Sequence, residues 1–240
     1  MKTVLPFFSS RSARLALFTF FTIVALAIGA ARAQKTAPGV LQPDKGKFSV
    51  QVDGQTIGRE EFEIAPSGSG WVARGTTTVK TDKGEDRISG NLTLQADGAP
   101  IAYDWTAQSG KTNGAHILFA NGIAKITLQM EGARPFEQDL SFGSPLVVVL
   151  DNNLYHQYAV LARLYDWSKR GPQQLPVLIP QELTPGTITV EATGSATSGG
   201  KTYEGLRVTT ADLEILLLLD PGHKLMRLEV PAAKVAVIRD

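Results

Sequence analysis

The chain has 240 residues with 24 basic and 23 acidic side chains, and it contains no cysteine. That balance offers no electrostatic basis for a nucleic-acid partner, and the missing thiols exclude disulfides, thiolate chemistry, cysteine-bound zinc and the lipid-modified cysteine of a bacterial lipoprotein. A hydrophobic share of 43% is enough to build a substantial core.

Residues 1–33 have the form of a secretory signal. Lys2, Arg11 and Arg14 make a basic start, and Ala31-Arg32-Ala33 is an A-x-A cleavage site. Between them the apolar run 15–28 is shorter than the about 20 residues a membrane span needs. A mature chain starting at Gln34 is expected, soluble in the periplasm or outside the cell, with no integral membrane segment left. Cleavage would remove Lys2, Arg11, Arg14 and Arg32, leaving 20 basic residues against 23 acidic ones and a net charge of −3. Residues 34–45 contain Pro38, Gly39 and Pro43 without periodicity and are expected to be a flexible leader. Residues 46–240 then form one β domain with one helix.

Alternation begins at once. Phe48, Val50 and Val52 interleave with polar partners, and after Asp53-Gly54 the pattern resumes in Ile57, Phe62 and Ile64, with Glu61 and Glu63 facing water. Strands follow over 71–80 and 87–95, and on Ile101, Tyr103 and Trp105. Three more rest on Ile117 and Phe119, on Ile126, Leu128 and Met130, and on Phe136 and Leu140. Turns at Asp97-Gly98, Ser109-Gly110, Asn121-Gly122 and Glu131-Gly132 separate them. Asn-Gly between apolar runs is a hairpin signal because both central residues of the tight turn need positive φ. The run 146–150 leads directly into a helix.

That helix is expected over about 152–168. Asp151 is placed to cap its first turn, while Lys169, Arg170, Gly171 and Pro172 mark its end. Leu154, Tyr158, Leu161 and Tyr165 form one apolar stripe, widened by Tyr155 and Ala162, and Val160, Leu164 and Trp167 form a second. Two separated stripes predict a helix embraced by a concave surface. Strands return over 175–179, 187–192, 203–209, 213–219, 226–230 and 235–238. Residues 213–219 are apolar on both faces, which predicts a central strand covered on both sides. The fold class is therefore mainly β: an antiparallel meander forming a curved sheet, half-barrel or barrel packed around one long helix.

No catalytic motif survives inspection. The stretch 195–202 ends in Gly200-Lys201-Thr202 but has Ser195 where a phosphate-binding loop needs glycine, and strands rather than a helix flank it. His116, His156 and His223 lack a partner at metal-ligand spacing and read as surface or boundary residues. Glu60, Glu61 and Glu63 read as a solvated strand face, and no G-x-S-x-G elbow occurs. Neither catalytic residues, metal ligands nor a cofactor are expected. The aromatic residues are the better lead. Trp105, Tyr155, Tyr158, Leu164, Tyr165 and Trp167 have the apolar bodies and polar tips that would line a site for a lipid-like ligand.

The hairpin Phe48-Ser49-Val50-Gln51-Val52-Asp53-Gly54-Gln55-Thr56-Ile57-Gly58 and the closing pattern Asp220 to Leu225-Met226-Arg227-Leu228-Glu229-Val230-Pro231 resemble those of secreted bacterial β-meander domains of unknown function. Such domains are similar in plan to periplasmic lipoprotein carriers of the LolA/LolB kind, whose curved sheet wraps helices around an apolar cavity. Two functions follow as expectations. One is a binding module that holds an apolar small molecule or lipid under a helical lid. The other is a structural or interaction domain with a filled core, which contacts another envelope protein.

Overall fold

A computed structural model describes residues 40–240 except Lys83, Gly199 and Ala211, and except the side chains of Thr184 and Ser198. The expected signal sequence and most of the expected leader lie outside the described residues. Eight strands come first: β1 (Asp44–Val52), β2 (Gln55–Ser67), β3 (Gly70–Thr81), β4 (Gly84–Leu94), β5 (Pro100–Ser109), β6 (Lys111–Ala120), β7 (Ile123–Met130) and β8 (Phe136–Ser141). The short β9 (Val148–Val149) precedes the helix α1 (His156–Leu164). Six strands close the chain: β10 (Gln173–Ile179), β11 (Thr184–Ser198), β12 (Lys201–Thr209), β13 (Glu214–Leu219), β14 (Leu225–Val230) and β15 (Val235–Arg239).

All fifteen strands form one sheet in the order β8-β7-β6-β5-β4-β3-β2-β1-β15-β14-β13-β12-β11-β10-β9. Chain neighbours are sheet neighbours except β8 and β9, and Asn121 and Gly122 take the two positive φ values their hairpin requires. The two halves join where β1 pairs antiparallel with β15, from Phe48↔Arg239 to Val52↔Val235. Pairing is antiparallel throughout except between β9 and β10. The sheet is curved but not closed into a barrel, since β8 and β9 are its free ends. Among the described residues no helix is long and apolar enough to cross a membrane.

Period-two alternation puts Phe48, Val50, Phe62, Ile64, Leu92, Tyr103, Ile117, Ile126, Leu206, Val208, Leu217 and Val237 on the concave face, where they join one core cluster with α1. The helix is surrounded as the two stripes required. Of its nine residues His156, Gln157, Ala159, Val160, Leu161 and Ala162 are buried, and each large apolar side chain buried there stabilises the fold by roughly 1.5–3 kcal/mol.

Its limits are shorter than expected, and the reason is competition for the capping groups. Asp151 does not cap it, because its carboxylate accepts the Tyr103 hydroxyl and its own N–H goes to Gln157 Oε1. The helix ends at Leu164 because Gln173 clamps Asp166 from both sides, accepting its N–H at 2.9 Å and donating to its carbonyl at 2.8 Å. Trp167 is therefore beyond the helix and not on its stripe; its indole N–H donates to the helical carbonyl of Ala162 at 3.0 Å. Arg170 rather than Gly171 takes the left-handed conformation, at φ 51°.

Two other expectations change. Leu41 is 2% exposed and Asp44 opens β1 and pairs with Arg239 at 2.7 Å, so the ordered domain begins inside the expected leader. In β13 only Ile215, Leu217 and Leu219 are buried while Leu216 and Leu218 are half-buried, so that strand is fully covered on one face alone.

Candidate functional site

Glu60 lies on β2 two residues before Phe62 and four before Ile64, so alternation carries its carboxylate to the concave face with them. It is fully buried there, as is His156 at the start of α1. Glu60 Oε2 accepts the backbone N–H groups of Tyr155 at 3.0 Å and His156 at 3.1 Å, and Oε1 faces His156 Nδ1 at 2.6 Å. No side chain of the helical segment caps this end. A strand carboxylate does, satisfying free donors at the positive end of the helix dipole.

The helix start comes this close to the sheet because of glycine. Gly75 on β3 and Gly90 on β4 are directly paired. A Cβ on Gly75 would stand 2.4 Å from His156 Nδ1 and 2.7 Å from Glu60 Oε1, and one on Gly90 would stand 2.6 Å from Leu154 Cδ1 and 2.8 Å from the Tyr103 hydroxyl. Beside this lies the second buried pair. Asp151 is 3% exposed and accepts the Tyr103 hydroxyl, and burial pushes its carboxyl up to about 7. Burial, with the Asp151 charge, pushes the Tyr103 hydroxyl well above its usual range.

On the other face of the same strands is a groove of about 910 Å³. Its floor is the backbone of the row Phe62, Gly75, Gly90 and Trp105, whose side chains, where present, point inward. One wall is the row Glu61, Thr76, Ser89 and Thr106, and the other is Glu63, Arg74, Asn91 and Asp104. The walls are polar and partly self-paired. Thr76 and Ser89 share a hydrogen bond of 3.0 Å, Arg74 pairs with Glu63, Lys47 pairs with Glu61, and Asp104 faces His116 at 2.6 Å. The Lys47 ammonium holds Glu61 below the usual carboxylate range. A mixed surface of hydroxyls, an amide and charges of both signs suits polar recognition rather than an acyl chain.

The six residues read as an apolar ligand site do not converge on one cavity. Trp105 reaches the concave face from β5, half-buried, and its indole nitrogen has no protein partner. Tyr155 adjoins the Glu60 cap and Tyr158 lies three residues further along the helix, both half-buried, and burial raises the Tyr155 hydroxyl to about 12. Leu164 packs on the Gly98 turn. Tyr165 is buried at the helix exit, where its hydroxyl donates to the Gly171 carbonyl at 3.0 Å. Trp167 meets Tyr165 edge-on at 5.0 Å between ring centroids and stacks on His223 at 4.0 Å. Only Tyr165 and Trp167 among the six are joined by a ring contact among the described residues.

All three histidines have a carboxylate partner that linear spacing did not reveal: His116 with Asp104, His156 with Glu60 and His223 with Glu204 at 2.9 Å. His156 is wholly buried rather than a surface or boundary residue. The residues missed in the sequence are Glu60 and the Gly75–Gly90 pair. The parity of Glu60 with Phe62 and Ile64 was the available signal; the glycine pairing depends on register between strands. Among the described residues no cluster of three or more histidine or acidic side chains could hold a metal ion.

No protein-family model matches the sequence, and no curated protein matches it. The chain aligns with several solved structures. A β-barrel-like protein of the domain of unknown function DUF1849 from Brucella abortus aligns with a TM-score of 0.55 at 12% identity, covering 83% of this chain and 95% of that one. A DUF1089 family protein from Pseudomonas aeruginosa aligns with a TM-score of 0.46 at 11% identity, covering 75% of this chain and 91% of that one. At such identities the first likeness speaks to fold alone: this is a β-barrel-like domain.

Proposed function

We propose that this chain is exported to the bacterial cell envelope and acts there as a non-catalytic interaction domain, recognising another envelope protein through the polar groove across β2 to β5. One observation carries the reading. The row Phe62, Gly75, Gly90 and Trp105 sends every side chain it has to the concave face, so on the opposite face its bare backbone is the floor of a 910 Å³ groove between two polar rows. The space that a lipid would occupy in a carrier of the LolA/LolB kind is filled by Leu154, Val160, Leu161 and the buried Glu60–His156 pair. An apolar ligand there would have to displace α1 and strip Glu60 of its three partners, leaving a buried carboxylate unsatisfied. Export rests on the basic start, apolar run and Ala31-Arg32-Ala33.

The test has two arms. Native mass spectrometry of protein purified from its own cell envelope is expected to show the bare mass, and a co-purifying lipid would overturn the filled-core reading. A peptide array covering envelope proteins, probed with the unaltered protein and with Ser89→Trp and Asn91→Trp, is expected to give signals that both groove-filling variants lose. Signals indifferent to both variants, or none at all, would reject the groove.

A further inference from the structure

We infer that the cavity between the exit of α1 and the β11–β12 hairpin binds a small zwitterion, a free amino acid or dipeptide with an apolar side chain. The cavity encloses about 340 Å³, near the lower end for small-molecule sites, and is lined by Trp167, Arg170, Thr193, Ser195 and Glu204 with backbone between them. It is built by a departure from regular pairing. The register slips between Ala192 and Gly194, leaving Thr193 unpaired, and Gly194 has φ 86°. Such bulges re-aim side chains and open a strand surface. Gly205 completes the site, because a Cβ there would stand 2.2 Å from Thr193 Oγ1.

The apolar wall is rigid. Trp167 is held by the Tyr165 edge, by the His223 stack and by its N–H bond to Ala162. Arg170 and His223 both stand in the left-handed region, at φ 51° and φ 57°. Non-glycine residues persist there when their surroundings enforce it. The charges choose the ligand. Arg170 is exposed and has no ion pair among the described residues, while Glu204 is half-buried and bonded to His223 Nε2 on one side only. A simple anion gains from Arg170 but is repelled by Glu204, and a simple cation meets the reverse. A molecule with a carboxylate for Arg170 and an ammonium for Glu204 satisfies both, leaving its side chain to Trp167.

The inference does not depend on the groove across β2 to β5. Calorimetric titration of the full mature chain with the twenty free L-amino acids and their homodipeptides is expected to show saturable binding of apolar members. N-acetylation and C-terminal amidation of the ligand should each weaken binding about tenfold or more, as should Arg170→Asn and Glu204→Gln, while Ser89→Trp leaves it unchanged. Arg170→Asn is chosen because asparagine tolerates the left-handed backbone. No saturable binding at millimolar concentration, or binding indifferent to blocked termini or to both variants, would overturn it.

Discussion

Glu60 caps the helix that begins at His156, 96 residues later, and its second oxygen holds the ring nitrogen of that same residue at 2.6 Å. The helix is thus started from the sheet. Its position relative to β2 is set by one carboxylate making three bonds in a site without solvent.

Removing that carboxylate should be among the costliest single changes. Glu60→Ala leaves two backbone donors and His156 Nδ1 unsatisfied in the core, at a cost of about 2–5 kcal/mol. Glu61→Ala, on the solvent face of the same strand, should cost no more than about 0.5 kcal/mol. Urea unfolding of the two variants checks this; similar losses would mean that the cap does not hold the helix.

Gly75→Ala and Gly90→Ala should each destabilise by about 1–3 kcal/mol, because the new methyl group meets His156 and Glu60 in one case and Leu154 and Tyr103 in the other. Gly143→Ala meets nothing within 4 Å and serves as the control. In thermal melts the first two should fall below the control.

Leu161 is fully buried at the centre of α1, so Leu161→Ala should cost about 2–5 kcal/mol through the cavity it leaves. Arg163 is half-buried and should cost far less on truncation. Denaturant melts giving equal, small losses for both would contradict the packing.

Asp151 should make stability depend on pH in an unusual direction. Burial raises its folded-state value to about 7 from 3.8, so between those values the folded chain holds a proton that the unfolded chain has released. Its contribution is fully present below about pH 4 and lost as pH rises through about 7, an effect on the order of 4 kcal/mol. Asp151→Asn should flatten unfolding curves across that window. Tyr103→Phe, which removes the bond favouring the carboxylate, should move the loss to higher pH.

Most of the architecture was legible in the residues themselves. Alternation in segments such as 48–52 and 60–64, with turn pairs such as Asn121-Gly122, is enough to specify short antiparallel strands joined in chain order, because period and turn chemistry act locally. The two stripes, one running through Leu161 and the other through Val160 and Leu164, likewise implied a helix enclosed by a curved surface. What tertiary structure alone decided depends on partners distant in sequence. The ends of α1 are set by Glu60, Tyr103 and Gln173 outcompeting the local caps. The carboxylates of the three histidines are brought by strand pairing or by the long return of the chain. The Gly75–Gly90 pair acquires its meaning only when register puts one glycine beside the other beneath the start of the helix. Local periodicity determines which face each of these residues occupies, whereas what meets it there is determined by segments folded from elsewhere in the chain.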